Sequence, residues 1–116
     1  MKDILIEIDR LAEEELERAN KTHQLFASDH EGESVIREEI EEALDSMGGI
    51  GPAYEDMWNA IRKNDGQGAK AGVREIRASA AWTAAELIQV IAMCDKFVKS
   101  QEARMEESNG DRTENH

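Results

Sequence analysis

Residues 73–100 read VREIRASAAWTAAELIQVIAMCDKFVKS. The stretch contains neither Gly nor Pro and is rich in Ala, so nothing interrupts a helical hydrogen-bond ladder. One long helix is the simplest reading. At roughly 100° per residue, Trp82, Val90, Met93, Cys94 and Phe97 form an apolar stripe along it. Asp95 and Lys96 fall away from that stripe, as surface charges do. Glu86 falls inside it, and an unpaired carboxylate among apolar neighbours costs several kcal/mol or takes up a proton.

The rest of the chain has the same helical character. Glycines gather in MGGIGP at 47–52 and NDGQGAKAG at 64–72, Pro52 is the only proline, and the intervening segments favour helix. A first helix over 2–22 places Ile4, Ile8, Leu11 and Leu16 at helical spacing, with a polar side that is mostly Glu. A second starts near SDHE, where Ser28 and Glu31 have capping-box spacing, and runs to Met47 before Gly48 and Gly49 stop it. Its apolar side is Ile36, Ile40, Ala43, Leu44 and Met47. A short third helix over 53–63 turns Tyr54, Met57, Trp58 and Ile61 toward the core. Residues 64–72 then form a loop, and QEARMEESNGDRTENH at 101–116 loses its apolar period and reads as a frayed or disordered tail. The expected fold is all-α, a compact bundle of about four helices in one domain over 1–100.

Charge narrows the function. The 116 residues carry 14 Lys and Arg against 26 Asp and Glu, a formal net charge of -12 that repels nucleic acid and anionic membranes. A small anionic ligand still fits if a divalent cation bridges it to the carboxylates. The single Cys94 permits no internal disulfide, and the charges in MKDILIEIDRL do not suit a signal peptide. A cytoplasmic protein is expected. The most apolar window, LIQVIAMC at 87–94, is too short to cross a bilayer.

The second helix, HEGESVIREEIEEALDSM at 30–47, puts six glutamates between positions 31 and 42. Glu38 and Glu42 share a face one turn apart, with Glu39 beside them toward Ile36 and Ala43; Glu31, Glu33 and Glu41 read as cap or solvated charge. For Glu86 three partners come into consideration. Thr83 and Glu86 have capping-box spacing, Arg37, Arg74 or Arg77 would make an ion pair, and Glu38, Glu39 and Glu42 would share a cation with it. Four carboxylates without His or thiolate suit a hard cation, Mg2+ or Mn2+, and so phosphate chemistry. A di-iron site of the Glu-x-x-His type fails on spacing, because Asn20, Ala27 and Thr113 stand three residues before His23, His30 and His116.

Over residues 19–97 the chain resembles the MazG-like all-alpha nucleoside triphosphate pyrophosphohydrolases, in particular the compact forms often encoded by phages and prophages. The resemblance rests on ANKTHQLFASDHEGESVIREEIEEA and AAELIQVIAMCDKF, with Trp58 in a short helix between. Glu38, Glu39 and Glu42 match the family's E-E-x-x-E, and Glu86 with Gln89 matches E-x-x-D, Gln89 standing where the family has Asp. It implies an oligomeric helical bundle, a homodimer or homotetramer, that uses Mg2+ to cleave a (d)NTP into a nucleoside monophosphate and pyrophosphate for pool control or housecleaning. Glu38, Glu39, Glu42 and Glu86 would be metal ligands, with Glu38 or Glu39 as the base. Lys21 has two readings, phosphate contact or solvated charge, and Trp58, Trp82 and Phe26 also have two, stacking on a base or core packing.

Gln89 opens another possibility, a catalytically weakened member that binds nucleotide or a protein partner. On that reading Gln89→Asp raises metal affinity and hydrolysis. From a different class comes a helical assembly or adaptor protein whose acidic faces serve solubility alone. Cys94 reads as a small hydrophobe rather than a nucleophile.

Overall fold

The computed structural model describes residues 1–22 and 25–114. The protein is all-α, its helices following in the order α1 (Lys2–Thr22), α2 (Asp29–Met47), α3 (Ile50–Arg62) and α4 (Gly66–Glu114). No strand occurs among the described residues. His23 and His116 lie outside them. Half of the capping box at the start of α2 is formed: the Glu31 N–H donates to Ser28 Oγ at 3.1 Å, while the Glu31 carboxylate accepts from the Ala27 N–H, at 3.3 Å, and not from that of Ser28.

Besides the start of α3, at Ile50 where 53 was expected, two boundaries differ from expectation. The segment 64–72 is not a loop throughout, because α4 already begins at Gly66. Asp65 caps it, accepting the Gly68 N–H on Oδ1 and the Ala69 N–H on its backbone carbonyl, each at 3.0 Å. Gly72 lies inside the helix for a packing reason: a Cβ there would come within 2.9 Å of the Met57 N, Cα and Cβ atoms, so glycine lets α4 approach the backbone of α3.

At the other end, α4 continues to Glu114 where a frayed tail was expected. Arg104 Nη1 donates to the Phe26 carbonyl at 2.8 Å and Arg104 also pairs with Asp29, while Gln101 Nε2 donates to Asp29 Oδ2 at 3.3 Å. Polar anchors thus take over where the apolar period ends.

The chain falls into two compact units, Met1–Glu38 with Ile88–His116, and Glu39–Leu87. In the first, Leu16, Phe26, Ala92 and Met93 are buried together, with Ala19, Val35, Ile36 and Phe97 packed against them. The Phe26 N–H donates to Ser100 Oγ at 2.9 Å, and that hydroxyl donates to the Lys96 carbonyl at 2.7 Å. Lys96, expected at the surface, is only 4% exposed, and its ammonium lies 4.8 Å from the centroid of the Phe26 ring. A lysine can bury its stem this way when a ring face receives the charge. Gly32 makes room for the same aromatic cluster, since a Cβ would meet Phe97 Cδ2 at 2.5 Å and Phe26 Cδ2 at 3.0 Å.

The second unit is built differently. Its buried residues include Ala43, Ala53, Ala60 and Thr83, whereas Ile40, Leu44, Met47, Tyr54, Trp58 and Ile61, expected to face inward, are exposed. Small side chains take the inner positions because the helices pack close. The stripe read on α4 is likewise corrected: Met93 is buried and Val90 and Phe97 are half-buried, but Trp82 and Cys94 are exposed. No helix among the described residues is long and apolar enough to cross a membrane.

Candidate functional site

Within the second unit, α2 and α4 each bring carboxylates to one place. One oxygen from each of Glu39, Glu42 and Glu86 lies within 4.8 Å of the others. Glu39 and Glu42 meet there because residues three apart on a helix project to one side. Glu86 joins them from α4, beside Thr83, which is buried and donates through Oγ1 to the Ser79 carbonyl at 2.7 Å. Thr83 is therefore an interior helix residue and not a cap. Glu39 and Glu86 are partly buried and Glu42 is exposed.

Three carboxylates this close repel one another, and a cation placed among them removes the repulsion. The donor set, one oxygen from each of three side chains with neither nitrogen nor sulfur, fits a hard divalent ion that keeps further positions for water or phosphate oxygen. Glu38, the fourth carboxylate expected to contribute, is exposed and is not one of the three. Arg37 pairs instead with Glu33 at 3.5 Å. Glu33 is thus the ordinary surface charge that its position predicts.

Gln89 has a partner of its own. Its Nε2 donates to Glu15 Oε2 at 2.7 Å in a partly buried hydrogen bond that joins α4 to α1 in the first unit. Glu15 is also held by Arg18. A glutamine amide can donate to that carboxylate and an aspartate cannot, which gives residue 89 a structural reason to be Gln. Sequence spacing alone did not expose this, because Glu15 is 74 residues away.

Among the residues considered for substrate, Lys21 is an exposed residue in the last turn of α1, in the first unit. Trp58 is 48% exposed, and the Arg62 guanidinium lies over its ring at 5.9 Å from the centroid. Trp82 is 67% exposed and borders a pocket of about 310 Å³ with Ser46, Ala78 and Ser79. The two serines escaped the sequence reading. Serines inside helices otherwise made of Ala and Glu are a weak signal that points equally to solvent. His30 is exposed and, with Asp29, Glu33, Ile36 and Phe97, lines an open pocket of about 390 Å³ in the first unit.

No protein-family model, curated protein or solved structure matches the chain.

Proposed function

We propose that the protein is a Mg2+- or Mn2+-dependent nucleoside triphosphate pyrophosphohydrolase of the MazG-like type, cleaving a (d)NTP to a (d)NMP and pyrophosphate. The observation that carries the proposal is the meeting of Glu39, Glu42 and Glu86 within 4.8 Å. These three residues would hold the metal, which when bound neutralises the triphosphate and polarises the attacked phosphorus. Water forms the new bond to the α-phosphorus, the bond from that phosphorus to the bridging oxygen breaks, and pyrophosphate leaves. The proton lost by water goes to a carboxylate oxygen. Glu39 suits that role better than Glu38, since it is partly buried and belongs to the cluster. Cytoplasmic nucleotide-pool control or housecleaning is the setting this chemistry implies.

Pyrophosphate release from a panel of dNTPs and NTPs, with Mg2+ or Mn2+, tests the reading. Glu39→Gln, with its helicity checked by circular dichroism, is expected to lose turnover by about 100-fold or more. A folded Glu39→Gln protein with wild-type turnover would sink the metal assignment.

A second reading is supported by the large apolar side chains that the second unit leaves exposed, Leu44, Met47, Tyr54 and Trp82 among them. Such a surface suits self-association, as a dimer or tetramer, and is shared by an assembly or adaptor protein. Light scattering that finds a monomer at micromolar concentration removes the self-association. An absence of any thermal shift with Mg2+ and nucleotide would favour the adaptor.

A further inference from the structure

The arginines of the two units are used differently. Arg10, Arg18, Arg37 and Arg104, all in the first unit, each pair with a carboxylate. Arg62, Arg74 and Arg77, in the second, form no ion pair among the described residues, and neither do Lys63 and Lys70, although the chain carries 26 Asp and Glu. Arg74 and Arg77 were candidates to neutralise Glu86 and do not. These five cations fall within residues 62–77, where the acids are Asp65 and Glu75 alone. Asp65 is engaged in capping α4.

Lys70, Arg74 and Arg77 follow one another at intervals of four and three residues, so they share one exposed face of α4 over about 10 Å of its length. No acid stands three or four residues from any of them, and like charges one turn apart repel. Lys70 also lies near the positive end of the helix dipole, where acids are favoured. The first turn of α4 has none, whereas α1 opens with Asp3 and α2 with Asp29 and Glu31. The three cations therefore weaken the helix that bears them and gain no partner inside the chain. An anion from outside would offset that cost. Val73, 50% exposed, sits among them, one turn from both Lys70 and Arg77.

We infer that this face binds an acidic helical segment of a partner protein, whose carboxylates at one-turn intervals meet Lys70, Arg74 and Arg77 while an apolar side chain covers Val73. The arginine fork takes a carboxylate through two parallel hydrogen bonds. The patch is two turns long, and the net charge of -12 on the whole chain repels a nucleic acid that runs past it. A phosphate backbone also has no use for Val73. A second copy would bring its own net charge of -12, whereas a short segment brings only the carboxylates that pair. The face is turned roughly 120–180° around α4 from Glu86, so an occupant leaves the carboxylate cluster open and binds independently of the hydrolase reading.

The probe is a labelled Ala-rich helical peptide of about 20 residues with Glu at one-turn intervals and Leu beside them, set against the same peptide with Gln in place of Glu. Fluorescence anisotropy should show saturable binding of the Glu peptide, about 10-fold tighter than the Gln peptide. Raising NaCl from about 50 to about 300 mM should weaken it. Arg74→Glu should lower the affinity by about 10-fold or more. Lys99→Glu, an equal change of charge at an exposed position of the same helix in the first unit, should not. Because Arg74→Glu also removes a like-charge contact, its Tm should hold level or rise.

Equal binding of the two peptides, or binding indifferent to Arg74→Glu, would overturn the surface. A lower Tm for Arg74→Glu would give that arginine a use inside the fold, which overturns it as well. Tighter binding of a single-stranded dT oligonucleotide than of the Glu peptide would assign the face to nucleic acid. Light scattering that finds a dimer in the wild type and none in Arg74→Glu would assign it to a second copy. Either result would discard the acidic partner segment.

Discussion

The two units hold themselves together by opposite means. The first fills its interior with large side chains, Leu16, Phe26 and Met93, and closes over them with Ser100, Lys96 and Arg104. The second keeps alanines and Gly72 inside, with Leu44, Met47, Trp58 and Trp82 exposed, as Ile4, Leu5 and Ile6 are in the first; the contrast lies in what is buried. A filled core is stabilised by buried area, whereas a close backbone crossing is stabilised by the absence of side chains. The two should therefore fail under different substitutions, and the carboxylates belong to the unit with the thinner core.

The largest effect is expected at Phe26, which is 5% exposed and accounts for much of the apolar volume in the first core. Phe26→Ala removes that volume and the ring face under Lys96, a loss of about 3–5 kcal/mol by comparison with other buried aromatics. Urea unfolding monitored by circular dichroism reads it directly. A loss below 1 kcal/mol would mean that the first unit does not depend on a filled core.

Gly72→Ala is the matching break in the second unit. The new Cβ meets the Met57 backbone at 2.9 Å, and backbone cannot rotate aside as a side-chain tip does. Overpacking of this kind costs about 1–3 kcal/mol, against the modest gain that alanine usually brings to a helix. Thermal unfolding decides the sign: a stabilised Gly72→Ala protein would show that the α3–α4 crossing is looser than described.

The same contrast explains what could be read in advance. The helices were legible because their local signals agree, as at Ser28, whose hydroxyl caps the Glu31 N–H as the spacing predicts. In the first unit, Leu16, Ile36 and Met93 were assigned inward correctly, since a core of large residues writes itself into the hydrophobic period, although Ile4 and Cys94, read on the same faces, are exposed. In the second, the same rule failed for Leu44, Tyr54 and Trp58 because the inner positions belong to Ala and Gly, which carry little hydrophobic signal. The glycines of 64–72 suggested a loop, although Asp65 caps a helix there and Gly72 serves a crossing. Lys96 was unreadable for another reason: its partner is the ring of Phe26, seventy residues earlier.

At the candidate site, Glu39, Glu42 and Glu86 were singled out by spacing and by the anomaly of a carboxylate on an apolar stripe, and the structure brings their oxygens together. Helical periodicity placed Glu38 on the face of Glu42, yet Glu38 is exposed and is not one of the three. Ser46 and Ser79 had no pattern to reveal them.

Gln89→Asp tests the first unit through its polar bonds. An aspartate would lose the hydrogen bond to Glu15 and set a second negative charge near a partly buried carboxylate. The expected cost is about 1–2 kcal/mol, read as a lower urea midpoint, with no gain in hydrolysis. A rise in Mg2+-dependent turnover in that variant would restore the view that Gln89 stands for a lost metal ligand.

The smallest effect comes from a glycine that nothing crowds. Gly66 opens α4 with no atom within 4 Å of where its Cβ would sit, and its φ is not positive. Alanine fits that conformation without strain and restricts the unfolded chain, so Gly66→Ala should stabilise the protein by about 0.4–1 kcal/mol. Set beside Gly72→Ala, it is the same chemical change in the same helix, six residues away, with the opposite expected sign. If both variants were destabilised alike, the cost at Gly72 would not follow from backbone approach, and the close crossing would lose its status as the feature that holds the second unit. Opposite signs would tie the cost at Gly72 to Met57 alone.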